Sequence, residues 1–209
     1  MDKKYTIPID RYVKKKIIQH IQPQKVVVIY GPRRVGKTTL LHQIAKHVAE
    51  PILWLTGENL DVQSWLSSKS LNTLKQGIGN YKYIIIDEAQ YVNEIGLNLK
   101  ILVDNIPAIK IIATGSSSFE LANQVGEPLV GRKWHYTLYP LSQLELQPFE
   151  TPFESNTLLE QRLIYGSYPE VLLTESNQNK ASLLNSIVDG VLFKDIFTLL
   201  FILVFSSSN

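Results

Sequence analysis

The 209 residues contain no cysteine, and 44% of them are hydrophobic against 19% charged. That size and balance suit a globular chain with a sizeable core, and they exclude disulfides, cysteine-based zinc sites and cysteine nucleophiles. The net charge of +2 gives the whole chain no nucleic-acid signature.

The charge is uneven along the chain. Residues 1–25 carry Lys3, Lys4, Arg11, Lys14, Lys15, Lys16 and Lys25 against Asp2 and Asp10, while the remainder is net acidic. This basic start reads either as a solvated helix face or as a contact for DNA or an acidic protein partner. No apolar leader follows the first lysines, so a cytoplasmic protein is expected. The longest apolar stretch, Ile196 to Phe205, is too short for a membrane helix of about twenty residues, so no membrane association is expected.

In chain order, Asp10 is placed to cap a helix over 11–21. Val13, Ile17, Ile18 and Ile21 share one side of it, and Lys14, Lys15 and Lys16 spread over the rest. The run Val26-Val27-Val28-Ile29-Tyr30 predicts a buried strand. It leads into Gly31-Pro32-Arg33-Arg34-Val35-Gly36-Lys37-Thr38, which fits G-x-x-x-x-G-K-[ST], and then into a helix reaching about residue 49. A strand, a glycine-bearing turn and a helix point backbone N–H groups and a helix dipole at one spot, which suits a polyphosphate. Lys37 is expected to reach the terminal phosphates, the Thr38 hydroxyl to ligate Mg²⁺, and the loop residues Gly31 to Thr38 with Thr39 to cradle ATP.

Residues 52–55 read as a second strand, 59–77 as mostly helix, and Tyr83-Ile84-Ile85-Ile86-Asp87 as a third strand ending in the pair Asp87-Glu88. After a phosphate loop, this is the Walker B pattern. Asp87 is expected to hold Mg²⁺, and Glu88 to orient or deprotonate an attacking water. A helix over 93–105 precedes a fourth strand over 109–114. In Thr114-Gly115-Ser116-Ser117-Ser118, Ser116 is the first candidate to touch the terminal phosphate or the water, with Thr114 second. A serine here serves equally well as an N-cap for a short helix over 116–123. Arg132, before a fifth strand over 134–138, is a candidate for offsetting transition-state charge, in its own chain or a neighbouring one. Arg33 and Arg34 lie within the phosphate loop.

Short Val/Ile-rich strands alternating with helices predict an α/β fold, an open, doubly wound parallel sheet of five strands with ligands at the carboxyl ends of the strands. The expected organisation is a P-loop core over 1–140, then a small helical region over 141–209, punctuated by Pro140, Pro148, Pro152 and Pro169.

Taken together, the phosphate loop with Thr39-Leu40-Leu41, the segment Ile85 to Gln90, Thr114 to Ser117 and Leu129-Val130-Gly131-Arg132 resemble the AAA-type (AAA+) ATPases of bacteria and archaea. Pro140-Leu141-Ser142 and Tyr165-Gly166-Ser167-Tyr168-Pro169-Glu170 extend the resemblance over roughly residues 7–198. It implies a central P-loop strand, binding of ATP and Mg²⁺, and hydrolysis; the leading reading of the chain is a switch or motor, with a homo-oligomer as one candidate assembly. Such proteins continue well past a segment like Val191 to Ile196, so the apolar end of this chain is expected to mark a truncated C-terminal part. A nucleotide-binding regulatory module with negligible turnover is the alternative. A small-metabolite kinase would need an arginine-rich lid, and a helicase would need a second motor domain.

Overall fold

The computed structural model describes residues 8–115 and 125–190. Five strands form one parallel sheet: β1 (Val26–Tyr30), β2 (Ile52–Thr56), β3 (Tyr83–Asp87), β4 (Lys110–Gly115) and β5 (Lys133–Thr137). Their spatial order is β2-β3-β4-β1-β5. The P-loop strand β1 therefore has neighbours on both sides, with Val26 opposite Ile111 of β4 and Lys133 of β5. This is the doubly wound, five-stranded P-loop architecture that the strand pattern predicts.

The β-branched composition of β1 and β3 suits strands covered on both faces, and every residue in both is buried. One face of the sheet, with Val26, Val28, Ile84, Ile86, Ile111 and Ala113, packs with Leu66, Leu74, Leu99 and Leu102 of the helices. Each fully buried Ile or Leu contributes about 1.5–3 kcal/mol relative to exposure. The edge strand β5 departs from the apolar pattern: Trp134, His135 and Thr137 are exposed. Edge strands carry one unpaired side, and polar residues there discourage association.

Helix α1 (Lys14–His20) is shorter than its pattern suggests. Asp10 does not cap it; its carboxylate accepts from Lys14 Nζ at 2.5 Å instead. Lys14 is buried, and the buried Arg11 donates to the carbonyl of Tyr139. Two of the seven early bases are thus committed internally. Lys25 Nζ lies 4.8 Å from the Trp134 ring centroid.

Helix α2 (Lys37–Ala45) follows the phosphate loop. The mostly helical stretch expected over 59–77 holds two helices, α3 (Leu60–Leu66) and α4 (Leu71–Ile78). Asn59 and Ser70 each cap one, and the Ser67 to Ser70 cluster separates them. The Lys69 N–H in that break donates to Asn98 Oδ1 at 2.9 Å. A 3₁₀ turn (Ala89–Tyr91) and α5 (Ile95–Asn105) follow β3.

Contacts divide the chain into two compact units. Asp10–Gly31 and Gly36–Tyr139 form the sheet unit, and Pro32–Val35 groups with the chain from Pro140 onward. In the latter, α6 (Gln143–Leu146) and α7 (Pro152–Tyr165) both begin with capping boxes, Ser142 with Glu145 and Thr151 with Glu154. Helix α8 (Pro169–Leu173) and a helix over 177–190 follow. The backbone N–H of Leu141 donates to the Ser167 carbonyl at 2.9 Å, so the Pro140-Leu141-Ser142 and Tyr165-to-Glu170 segments meet. Among the described residues no helix is long and apolar enough to cross a membrane.

One glycine positions the site. Gly57, just past β2, donates its N–H to the Asp87 carbonyl at 2.8 Å. A Cβ at Gly57 would overlap the carbonyl oxygen of Glu88, which is backbone and cannot swing aside. Gly57→Ala is expected to destabilise the fold by about 1–3 kcal/mol, read as a lowered thermal midpoint. An unchanged midpoint would show that the two backbones do not need this approach.

Candidate functional site

The carboxyl ends of β1, β3 and β4 converge because the strands are parallel and in register. Ile86 lies opposite Ala113, which leaves Asp87 and Thr114 as neighbours one step further along. Both are buried. The Asp87 carboxylate accepts three hydrogen bonds: Thr114 Oγ1 donates to Oδ1, the Glu88 N–H donates to Oδ1 at 3.2 Å, and Thr38 Oγ1 donates to Oδ2 at 2.7 Å. Thr114 Oγ1 also accepts from the Glu88 N–H at 3.2 Å. Thr114 therefore connects the two acidic residues, whatever else it touches.

The phosphate loop closes with Gly36 at φ 100°, a left-handed backbone that favours glycine. Gly36 is the N-cap of α2, and no side chain caps that helix. A helix start without a side-chain cap presents N–H groups and the positive end of its dipole. Lys37, on the first turn, is 5% exposed, and its Nζ donates to the Gly31 carbonyl at 2.9 Å. Its Nζ also lies 3.9 Å from Glu88 Oε1. A buried ammonium at a helix start is a strong attractor for an anion.

Glu88 adopts φ 51° and ψ 44°, a left-handed conformation uncommon for a residue with a side chain. It turns the chain sharply off β3 into the 3₁₀ turn and aims the carboxylate towards Lys37 rather than along the strand. Just ahead of the site, Tyr30 is buried, and burial pushes its phenol up, so the hydroxyl stays neutral.

The oxygen donors of Thr38 and Asp87 suit a hard cation. Mg²⁺ is typically held by one or two protein oxygens, with phosphate and water filling the remaining positions. The described residues contain no cluster of three or more His, Cys, Asp or Glu that could hold a metal by themselves. A hydroxyl and one carboxylate fit Mg²⁺ brought in with a nucleotide.

The structure thus brings together Gly31, Gly36, Lys37, Thr38, Asp87, Glu88 and Thr114. Among the other loop residues, Val35 is buried, Pro32 and Arg33 are half-buried, and Arg34 and Thr39 are exposed. Arg34, at φ 62°, donates from Nη1 to Glu170 Oε2 at 3.1 Å. Ser116 lies outside the described residues. Arg132 is not part of the cluster. Its carbonyl accepts from the Val26 N–H, at the amino ends of β1 and β5, and its Nε donates to Asp104 Oδ1 at 2.5 Å. It precedes its strand, so a parallel sheet carries it to the end opposite the phosphate loop. Sequence reasoning missed Gly57 and Gln90. The only sequence signal for Gln90 was its place directly after Asp87-Glu88-Ala89.

Comparison with known proteins bears on the family and the fold. An uncharacterized protein of Methanocaldococcus jannaschii is 29% identical over 203 residues, covering 90% of this chain and 44% of its own length. A second from the same organism is 29% identical, covering 88% and 39%. An uncharacterized protein of Mycobacterium tuberculosis is 25% identical, covering 82% and 36%. The chain spans less than half the length of these relatives. The solved structure of a Signal Transduction ATPase with Numerous Domains (STAND) protein with a tetratricopeptide repeat sensor, from Pyrococcus horikoshii, is 22% identical with a TM-score of 0.54. It covers 82% of this chain and 30% of that protein, a likeness of fold. Residues 23–147, more than half of the chain, match the family described as AAA domain (AAA_14). The chain belongs to this family of AAA+ P-loop NTPase domains.

Proposed function

We propose that this chain binds ATP with Mg²⁺ at the phosphate loop and hydrolyses it, as a switch or motor. The observation that carries the reading is the placement of Glu88: its carboxylate oxygen lies 3.9 Å from the buried ammonium of Lys37, while the adjacent Asp87 is bonded to Thr38. Two neighbouring carboxylates thus have separate tasks. Asp87 faces the metal-binding hydroxyl, and Glu88 faces the place where a terminal phosphate would meet Lys37.

Lys37 would exchange its bond to the Gly31 carbonyl for the phosphates, and Thr38 with Asp87 would hold Mg²⁺. Bound Mg²⁺ would supply positive charge to the phosphate oxygens. Glu88 would orient a water and accept its proton. The water oxygen bonds to the terminal phosphorus as the bond from that phosphorus to the bridging oxygen breaks, and the leaving ADP keeps that electron pair. Gly36 and the start of α2 would supply N–H donors along the phosphates. Arg132, at the far end of the sheet, takes no part in this pocket of its own chain.

Two substitutions separate binding from chemistry. Lys37→Ala is expected to weaken ATP affinity at least tenfold in equilibrium titration, because the buried cation is lost; unchanged affinity would refute the site. Glu88→Gln is expected to keep ATP affinity and lower turnover by about 10²–10⁴-fold, the usual worth of a general base. ATP binding with equal, near-zero turnover in the native chain and in Glu88→Gln would instead identify a nucleotide-binding regulatory module.

A further inference from the structure

Glu88 directs its two carboxylate oxygens at different partners. Oε1 is the one near Lys37, while Oε2 accepts a hydrogen bond from Gln90 Nε2 at 2.6 Å. Only the amide nitrogen of Gln90 can make this contact, because its carbonyl would set lone pairs against lone pairs. Gln90 is 7% exposed and lies in the 3₁₀ turn that leaves Glu88. Tyr91 N–H to the Glu88 carbonyl (3.3 Å) and Val92 N–H to the Ala89 carbonyl (3.1 Å) close that turn. Ala89 and Val92 are fully buried within the sheet's hydrophobic core. The amide of Gln90 is therefore carried by packed backbone, whereas the Glu88 side chain has three rotatable bonds and is one-quarter exposed.

We propose that Gln90 is the positioning residue for Glu88. It takes one carboxylate oxygen and fixes the direction of the side chain. The second oxygen is left on the Lys37 side to accept the proton of the attacking water. The left-handed backbone at Glu88 and the close approach of Gly57 set where the side chain starts; Gln90 sets where it ends. Without the amide, the carboxylate can rotate towards solvent, and the reacting geometry is populated only part of the time. This inference rests on the reading of Glu88 as the general base.

The test uses the full chain with Gln90→Leu, which removes the donor at similar size, and Gln90→Glu, which replaces it with a like charge. Turnover is expected to fall about 10–100-fold in Gln90→Leu, the scale of a misplaced catalytic group, and at least as far in Gln90→Glu. ATP affinity is expected to stay within about twofold of the native value, because Gln90 acts through the Glu88 carboxylate. A purely structural role would move both together. Turnover at or above the native level in Gln90→Leu, or ATP affinity falling in step with turnover, would overturn the inference. If the native chain turns over too slowly to measure, ADP with magnesium and aluminium fluoride decides. Gln90→Leu is then expected to bind that complex at least tenfold more weakly while binding ADP alone as the native chain does, and equal affinities for the complex overturn the inference. Glu88→Gln run alongside keeps the two readings apart. Native turnover in Glu88→Gln removes the base assignment itself, whereas an inactive Glu88→Gln beside an unimpaired Gln90→Leu removes only the role of Gln90.

Discussion

A carboxylate buried at the end of a central strand must have its lone pairs met, and the way Asp87 meets this demand organises the site. An ionised carboxylate left without donors in such a place would cost several kcal/mol. Its donors come from three different segments: Thr38 on the helix after the phosphate loop, Thr114 at the end of β4, and the backbone N–H of Glu88. Satisfying one charge thus locks the phosphate loop, the acidic pair and the β4 terminus into one arrangement. The in-register pairing of β1, β3 and β4 makes this possible, because it brings their carboxyl ends to the same level.

The same demand explains the unusual backbone of Glu88. Its N–H is drawn inward to both Thr114 and Asp87, and the chain must then turn within one residue to avoid continuing past the sheet. A left-handed conformation at a non-glycine residue costs about 1–3 kcal/mol. Two features offset that cost. Gly57 lets the end of β2 press against the Glu88 carbonyl, and the 3₁₀ turn inserts Ala89 and Val92 into the core. Burying those two side chains recovers energy of the same order. Strain at the site is therefore supported by packing behind it.

Much of this was legible in the sequence, for a physical reason. The boundaries of β1 and β3 match the runs Val26–Tyr30 and Tyr83–Asp87, because buried parallel strands select consecutive β-branched residues. The phosphate loop was legible because its ligands are neighbours in the chain. Gly57 and Thr114 were harder, since their contacts reach across the chain: a glycine near a carbonyl thirty-one positions away, and a hydroxyl bonded to both acidic residues. That Arg132 lies away from its own chain's phosphate loop was also legible, from its place before β5. Residues that follow parallel strands gather at one end of the sheet, as Asp87 does, and residues that precede them gather at the other. The helix break at Ser67 to Ser70 was likewise written in a pair of N-caps, Asn59 and Ser70, which the apolar spacing across 59–77 obscured.

The phosphate loop carries side chains of very different exposure. Lys37 is buried and points into the site, whereas Arg34, three residues earlier, is half exposed and paired with the equally exposed Glu170. An exposed ion pair contributes about 0–1 kcal/mol, far too little to anchor a fold and small enough to be broken by a competing anion. Glu170 closes the segment Tyr165 to Glu170, which is tied through Ser167 to Leu141. Pro32–Val35, the tip of the phosphate loop, groups with the chain from Pro140 onward, and the Arg34–Glu170 pair is one contact within that group. The bonds at the start of α2, by contrast, run inward, from Lys37 to the Gly31 carbonyl and from Thr38 to Asp87. The loop thus joins a buried ammonium facing Glu88 to a half-exposed guanidinium facing Glu170, and only the first is shielded from solvent.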